Sequence, residues 1–399
     1  MKTMERGIPA AGDGHIHSPG GFPGGASKIT ASEGAVARGE RPEAASGPIP
    51  ARLDVAYHPA IDAMRAFAVL AVLYAHFATT LPTHVGHYGV RVFFVISGYL
   101  ITRNLLQLKQ SSRHGLIGQC GTFYARRILR LLPAYYTLVL VTFLLGADED
   151  AASPLWFLLH LSNFLYATRN EWNPWVLGHS WTLSMEEQFY LFWPLIVLAF
   201  RSRVLRAFCW AGVIVSLLFR FWWPITAEPG LMRDLLPPAS FDALAGGAMI
   251  AAYIDGIRRV ARPVLRGLFV ASAFVVLATN NMPWLLGDHE WLAWFWYEVS
   301  LLPLAALAII LAVLQDRSIT WIGRFAPLLY LGRISYGIYL FHFIVLWSFL
   351  QVPALSDLVS EGGPLRFILV GATTIAVAAA SHHFLETPIN RLKDRFPYR

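Results

Sequence analysis

Residues 61–77 read IDAMRAFAVLAVLYAHF, an apolar run that nevertheless carries Asp62, Arg65 and His76. At about 100° per residue, the step from Arg65 to His76 closes to within roughly 20° of three full turns and rises about 16 Å. Asp62 lies one turn before Arg65 and shares its stripe. A charged side chain at the centre of a bilayer helix costs about 2.5–3.5 kcal/mol on insertion scales. Ionisable groups stacked on one stripe therefore predict a helix that turns this face to a protein interior or a wet cavity. A plainer alternative stays open at this point: Arg65 snorkels to the interface and pairs with Asp62, and His76 is a satisfied structural histidine.

The rest of the chain makes the surroundings of that helix lipid. Of 399 residues, 56% are hydrophobic and 14% are charged, against roughly a quarter charged in soluble domains. Long apolar runs at 60–80, 89–106, 131–146, 186–200, 206–223, 237–254, 264–279, 291–314, 327–350 and 365–383 predict about ten spans of roughly 20 residues each. The fold class is all-α, a polytopic integral membrane protein. The apolar segment Pro154–Ala167 is short and is predicted to be a re-entrant or interfacial helix on the outer face. With that choice the basic clusters at 109–130, 201–206, 258–266, 317–324 and 391–395 fall on one side, which predicts both termini in the cytoplasm. Glu228, Asp234, Asp288, Glu290, Asp357 and Glu361 then fall outside. The same basic loops account for the net charge of +7, without nucleic acid as a partner. Residues 1–56, rich in Gly, Pro, Ala and Ser, lack an apolar core segment and are predicted to be a disordered cytoplasmic tail. Residues 57–399 form the transmembrane domain. Cys120 and Cys209 are read as unpaired, and no metal site is expected.

Further polar residues interrupt the apolar runs. Ser97–Gly98 is a small pair that admits a neighbouring helix. In FYARRILRLLPAYY (residues 123–136), Arg126, Arg127 and Arg130 fall within little more than one turn. They suit either positive-inside anchoring or a clamp on phosphate oxygens. In LGHSWTLSMEEQFYLFWP (177–194), Thr182 or Ser184 is placed to cap a helix. Glu186 there is either a first-turn acid or part of a catalytic pocket. In LGRISYGIYLFHFIV (331–345), Ser335, Tyr339 and His342 recur at one-turn intervals. Glu386 lies near Arg391, its expected partner.

Taken in order, these pieces resemble the acyltransferase 3 family of integral membrane acyltransferases. They are Arg65-x10-His76 preceded by Asp62, GVRVFFVISGYLIT (89–102), FYARRILRLLP (123–133), WTLSMEEQFYLFWP (181–194), SYGIYLFH (335–342) and LETP (385–388). The resemblance covers residues 55–391. This chain has Thr182 where the family commonly has Ser, and Arg91 where many relatives have an acid. Some members carry a fused C-terminal SGNH hydrolase-like domain, which a chain ending at Arg399 is expected to lack.

The resemblance implies an O-acyltransferase of the bacterial inner membrane. Its donor is acyl-CoA, expected to be acetyl-CoA, entering from the cytoplasm; no cofactor is permanently bound. Its acceptor is a glycan or lipid-linked saccharide. On this reading Arg126, Arg127 and Arg130 hold the donor's phosphates. His76 is general base or transient acyl carrier, suited by an imidazole's titration near the working pH. Arg65 orients the donor or stabilises developing negative charge. Glu186 closes the outer side of the pocket, and Asp62, Ser335, Tyr339 and His342 support it. A transporter or flippase for a lipid-linked sugar is the alternative, since it too needs polar groups within the membrane.

Overall fold

The computed structural model describes residues 57–78, 85–112, 114–147, 153–226, 230–280 and 290–397. The expected tail at 1–56, the acidic stretch 148–150, Glu228 and Asp288 lie outside the described residues. Among those described, no strand occurs. The main helices are α1 (Pro59–Leu73), α2 (Val85–Ser111), α3 (Leu116–Leu144), α4 (Ser162–Arg169), α5 (Ser180–Ala199), α6 (Ser202–Thr226), α7 (Phe241–Ala252), α8 (Arg262–Asn280), α9 (Glu290–Val313), α10 (Ala326–Leu350) and α11 (Pro364–Ser381). Among the described residues, eight helices are long and apolar enough to cross a membrane: α1 with the π-turn Tyr74–Ala78 that follows it, α2, α3, α6, α8, α9, α10 and α11. The chain is an all-α, multi-pass membrane protein. Two further helices stand among these eight, α5, which opens on polar residues, and α7, which has only 12 residues.

Contacts between helices set their directions. Asp62 of α1 backs onto Gly332 of α10 and His76 onto His342, so these two run parallel. Gly86 and Gly89 of α2 face Ala75 and Ala68, so α2 returns antiparallel to α1. The start of α2 meets the start of α7 through Arg91 and Asp242. Lys109 near the end of α2 donates to the Val197 carbonyl near the end of α5. The Pro59 end of the bundle thus gathers Lys109, Arg206, Arg258, Arg324 and Lys393.

Three local expectations change. The basic stretch before residue 131 is not a loop: α3 starts at Leu116 and runs through Pro133. Arg126, Arg127 and Arg130 lower the local hydropathy without ending the helix, because their heads have protein-lined places to go. The segment Pro154–Ala167 does not cross, but it is two short helices, Leu155–Leu158 and Ser162–Arg169, broken at His160 with φ 53°. Its polar Ser162 and Asn163 are buried against α5, where Ser162 bonds Ser180 and Ser184 at 2.8 and 2.9 Å. Lastly, α5 begins at Ser180, so Thr182 and Ser184 lie inside it and bond tertiary partners instead of capping it. Cys120 and Cys209 are free and buried.

Close packing explains the small residues. A methyl added at Gly98 would collide with the Leu244 carbonyl, and one at Gly247 with that of Val95, so α2 and α7 meet backbone to backbone. The same helices share a buried ionic lock. Arg91 (2% exposed) grips Asp242 (0%) with both guanidinium nitrogens. Arg220 of α6 binds the same carboxylate at 3.1 Å and Glu298 of α9 at 3.0 Å, and His87 closes on Glu298 at 3.1 Å. The lock ties four helices together.

At the other end of the bundle, Asp316 caps the short helix Arg317–Thr320 through the Ser318 N–H at 2.9 Å. It also takes a two-pronged bond from Arg266 at 2.9 and 3.0 Å. The Arg266 donors, with Ser318 helping, hold the Asp316 carboxyl down to about 2. Asp316→Ala is expected to cost about 1 kcal/mol, as loss of a cap does. A folded pKa below the unfolded value near 3.9 gives stability that is full above 3.9 and fades as pH falls through about 2. Thermal unfolding of solubilised protein should therefore show a wild-type advantage at pH 7 that shrinks between pH 4 and 2.

Candidate active site

Arg65 from α1, Arg103 from α2, and Arg127 and Arg130 from α3 line one cavity of about 210 Å³, with Glu186 from α5 and Ser335 from α10. Helical spacing explains the convergence. Phe93, Ser97, Leu100 and Asn104 place one face of α2 along the cavity, and Arg103 flanks that face near the Pro59 end. Arg127 lies over the Tyr190 ring at 3.8 Å from its centroid, a contact that fixes a guanidinium without neutralising it. Tyr190 in turn bonds Ser97.

Beyond the cavity, toward the end of α1, lies a group of imidazoles. His342 of α10 is fully buried, and its ring stacks on His76 with centroids 5.0 Å apart and planes 8° from parallel. His342 Nε2 and His76 Nδ1 are 3.1 Å apart. His342 Nδ1 lies against the Tyr339 carbonyl, which can only accept. In the neutral ring, Nδ1 therefore carries the proton and Nε2 accepts from His76 Nδ1–H, leaving His76 Nε2 with a free lone pair. The π-turn Tyr74–Ala78 carries His76 into this stack; such wide turns recur where a helix must re-aim a side chain. His179, the residue before α5, sits 4.8 Å from the His342 ring.

One pair of hydroxyls adjoins both groups, for the Tyr339 ring lies 5.6 Å from that of His342. Thr182 and Tyr339 both line the cavity, and their hydroxyls are 2.8 Å apart. Both hydroxyls also lie within reach of the His179 carbonyl, at 3.0 and 3.3 Å; with one proton each, one donates to that carbonyl and the other to its partner hydroxyl.

The residues singled out in the sequence divide accordingly. Arg65, Arg127, Arg130, Glu186, Ser335 and Tyr339 line the cavity. His76 and His342 do not line it and pair with each other. Asp62 accepts from Tyr57 at 2.7 Å, and it forms no ion pair with Arg65 among the described residues. Arg126 points elsewhere, donating to the carbonyls of Lys393 and Phe396 at 3.1 and 2.8 Å. Glu386 bonds Ser381 and stands 3.8 Å from His382, and the expected pair with Arg391 is not formed. Arg91, which stands where many relatives have an acid, belongs to the buried lock. Sequence reasoning passed over Arg103, Tyr190 and His179. Arg103 was legible as a cation on the Ser97 helix, whereas His179 carried no periodic signal. Among the described residues, no His, Cys, Asp and Glu cluster could hold a metal ion.

The model of an acyltransferase domain family matches residues 58–383. The chain is 30% identical over 364 residues to the peptidoglycan O-acetyltransferase OatA of Listeria monocytogenes, covering 84% of this chain and 56% of that one. It is 28% identical over 370 residues to the putative peptidoglycan O-acetyltransferase YrhL of Bacillus subtilis, covering 84% and 55%. A putative O-acetyltransferase of Staphylococcus aureus is 31% identical over 378 residues, with 84% and 58% covered. The chain thus spans little more than half the length of these curated relatives. No solved structure matches it. A polytopic helical bundle, a polar seam within it and a family match running from the first span to the last agree: this chain belongs to the acyltransferase 3 family of membrane acyltransferases.

Proposed function

We propose that the chain is an O-acyltransferase that moves an acyl group, expected to be acetyl, from acyl-CoA to a hydroxyl of a glycan or lipid-linked sugar. One observation carries this reading: a cavity with four arginines adjoins a histidine pair through Tyr339, which lines the cavity and lies 5.6 Å from His342. A nucleotide-bearing thioester offers several phosphates to guanidinium groups. Its acyl end then approaches the base past the Thr182–Tyr339 pair. The basic residues gathered at the Pro59 end suit a cytoplasmic face; on this reading the donor enters from that side and both termini, with residues 1–56, belong to the cytoplasm of a bacterial cell. The names of the relatives in Listeria and Bacillus favour a cell-wall sugar as acceptor.

In the chemical step the acceptor oxygen attacks the thioester carbonyl. A C–O bond forms and the C–S bond breaks. The hydroxyl proton passes to His76 Nε2, held ready because Nδ1–H is engaged by His342. That proton then goes to the departing thiolate, which leaves as the thiol. Arg65 and Glu186 position the donor within the cavity.

Acetyl-CoA binding by detergent-solubilised protein tests the donor site. Arg127→Ala and Arg130→Ala should each weaken binding by roughly 10- to 100-fold, as loss of a charge-assisted bond worth about 1.5–3 kcal/mol does. Arg126→Ala, which removes bonds to carbonyls instead, should leave the affinity within a few-fold. Saccharide crossing sealed vesicles with no donor present, and unchanged binding in both cavity variants, would point to a transporter.

A further inference from the structure

We propose that His179 is a further catalytic residue, its ring N–H binding the acyl carbonyl oxygen as that oxygen gains negative charge. This rests on the acyl-transfer reading above and adds to it the group that the reaction needs opposite the base.

His179 is 3% exposed, and neither ring nitrogen has a hydrogen-bond partner. The Leu340 carbonyl bears on the ring, yet no contact meets hydrogen-bond geometry. Buried polar groups are paired in most structures, and one left open is costly unless its partner arrives with a ligand. The ring is also well placed. Its backbone carbonyl lies against the hydroxyls of Thr182 and Tyr339, at 3.0 and 3.3 Å. Its centroid is 4.8 Å from His342, whose partner is His76. Phe343 makes an apolar floor common to both, at 4.7 Å from His76 and 5.5 Å from His179. A group resting on Phe343 would have the lone pair of His76 and the donor of His179 at hand. His179 is moreover the cap residue of the 20-residue α5, where the helix dipole favours negative charge.

When the acceptor oxygen adds to the thioester carbon, the carbonyl electron pair moves onto oxygen. The His179 N–H stabilises that oxyanion, and the pair returns as the C–S bond breaks. His76 takes the hydroxyl proton and passes it to the thiolate, so the oxyanion donor gains and loses nothing.

Two variants separate this role from packing. His179→Phe keeps an aromatic ring and removes the donor, whereas His179→Gln keeps an N–H. With acetyl-CoA as donor and a defined saccharide acceptor, His179→Phe should lose about 10²–10³-fold in kcat, with the donor KM within a few-fold of wild type. His179→Gln should recover at least tenfold of that loss. Both should unfold within a few degrees of wild type. A His179→Phe protein that turns over within threefold of wild type overturns the proposal, as does equal impairment of the two variants at unchanged unfolding temperature. A wild-type protein that transfers no acyl group at all, while still binding donor, would instead overturn the acyl-transfer reading.

Discussion

His76→Ala is expected to lose acyl transfer by roughly 10²–10⁴-fold, the range of a general base, while still binding acyl-CoA. The split follows from where the groups lie. The arginines line the cavity and His76 does not. Removing the imidazole therefore leaves the arginine cavity intact. The variant should also fold, because His76 is only partly buried and its ring is held by one hydrogen bond and by stacking. Donor binding measured beside turnover decides the matter. A folded His76→Ala protein that acylates at the wild-type rate would remove His76 from the chemistry. Weaker donor binding in step with lower turnover would move His76 to the donor side.

Asp242→Ala should have the largest effect on stability, about 3–5 kcal/mol. It leaves Arg91 and Arg220 facing each other without the carboxylate both now grip. Both guanidinium groups are almost fully buried, so water cannot repay the loss. The variant should be extracted in poor yield or unfold at much lower temperature. A double variant, Arg91→Leu with Asp242→Leu, removes one charge of each sign and leaves Arg220 its Glu298 partner. It should therefore be the more stable of the two, and size-exclusion profiles with thermal unfolding will rank them. An Asp242→Ala protein as stable as wild type would mean that the lock contributes little to holding α2, α6, α7 and α9 together.

The spans were legible because long apolar runs have few uses outside a bilayer. The stripe of Arg65 and His76 was legible for a stronger reason: each buried charge demands a protein partner, and helical geometry says on which side. Both side chains do turn to α10, Arg65 to the cavity that Ser335 shares and His76 to His342. What the spacing could not say is that only Arg65 lines the cavity, since the π-turn of His76 leaves no periodic mark. The ends of α3 and α5 were misjudged for one physical reason. Hydropathy scores Arg and Ser as unfit for lipid, but a helix interior to a bundle meets other helices instead. Arg126 shows the limit of motif reading. It adjoins Arg127 in sequence, but about 100° of helix separates them, and that turn sends it to the C-terminal carbonyls.

The Thr182–Tyr339 bond has a bearing on the cell as well as on the substrate. A bilayer that stores energy as an ion gradient cannot tolerate a continuous water file through one of its proteins. On the proposed function, a thioester arm reaching from the arginines to the imidazoles passes these two hydroxyls, 2.8 Å apart, and has to part them around itself; the arm would then plug the very opening it makes, and the gradient would be spared a short circuit at each turnover.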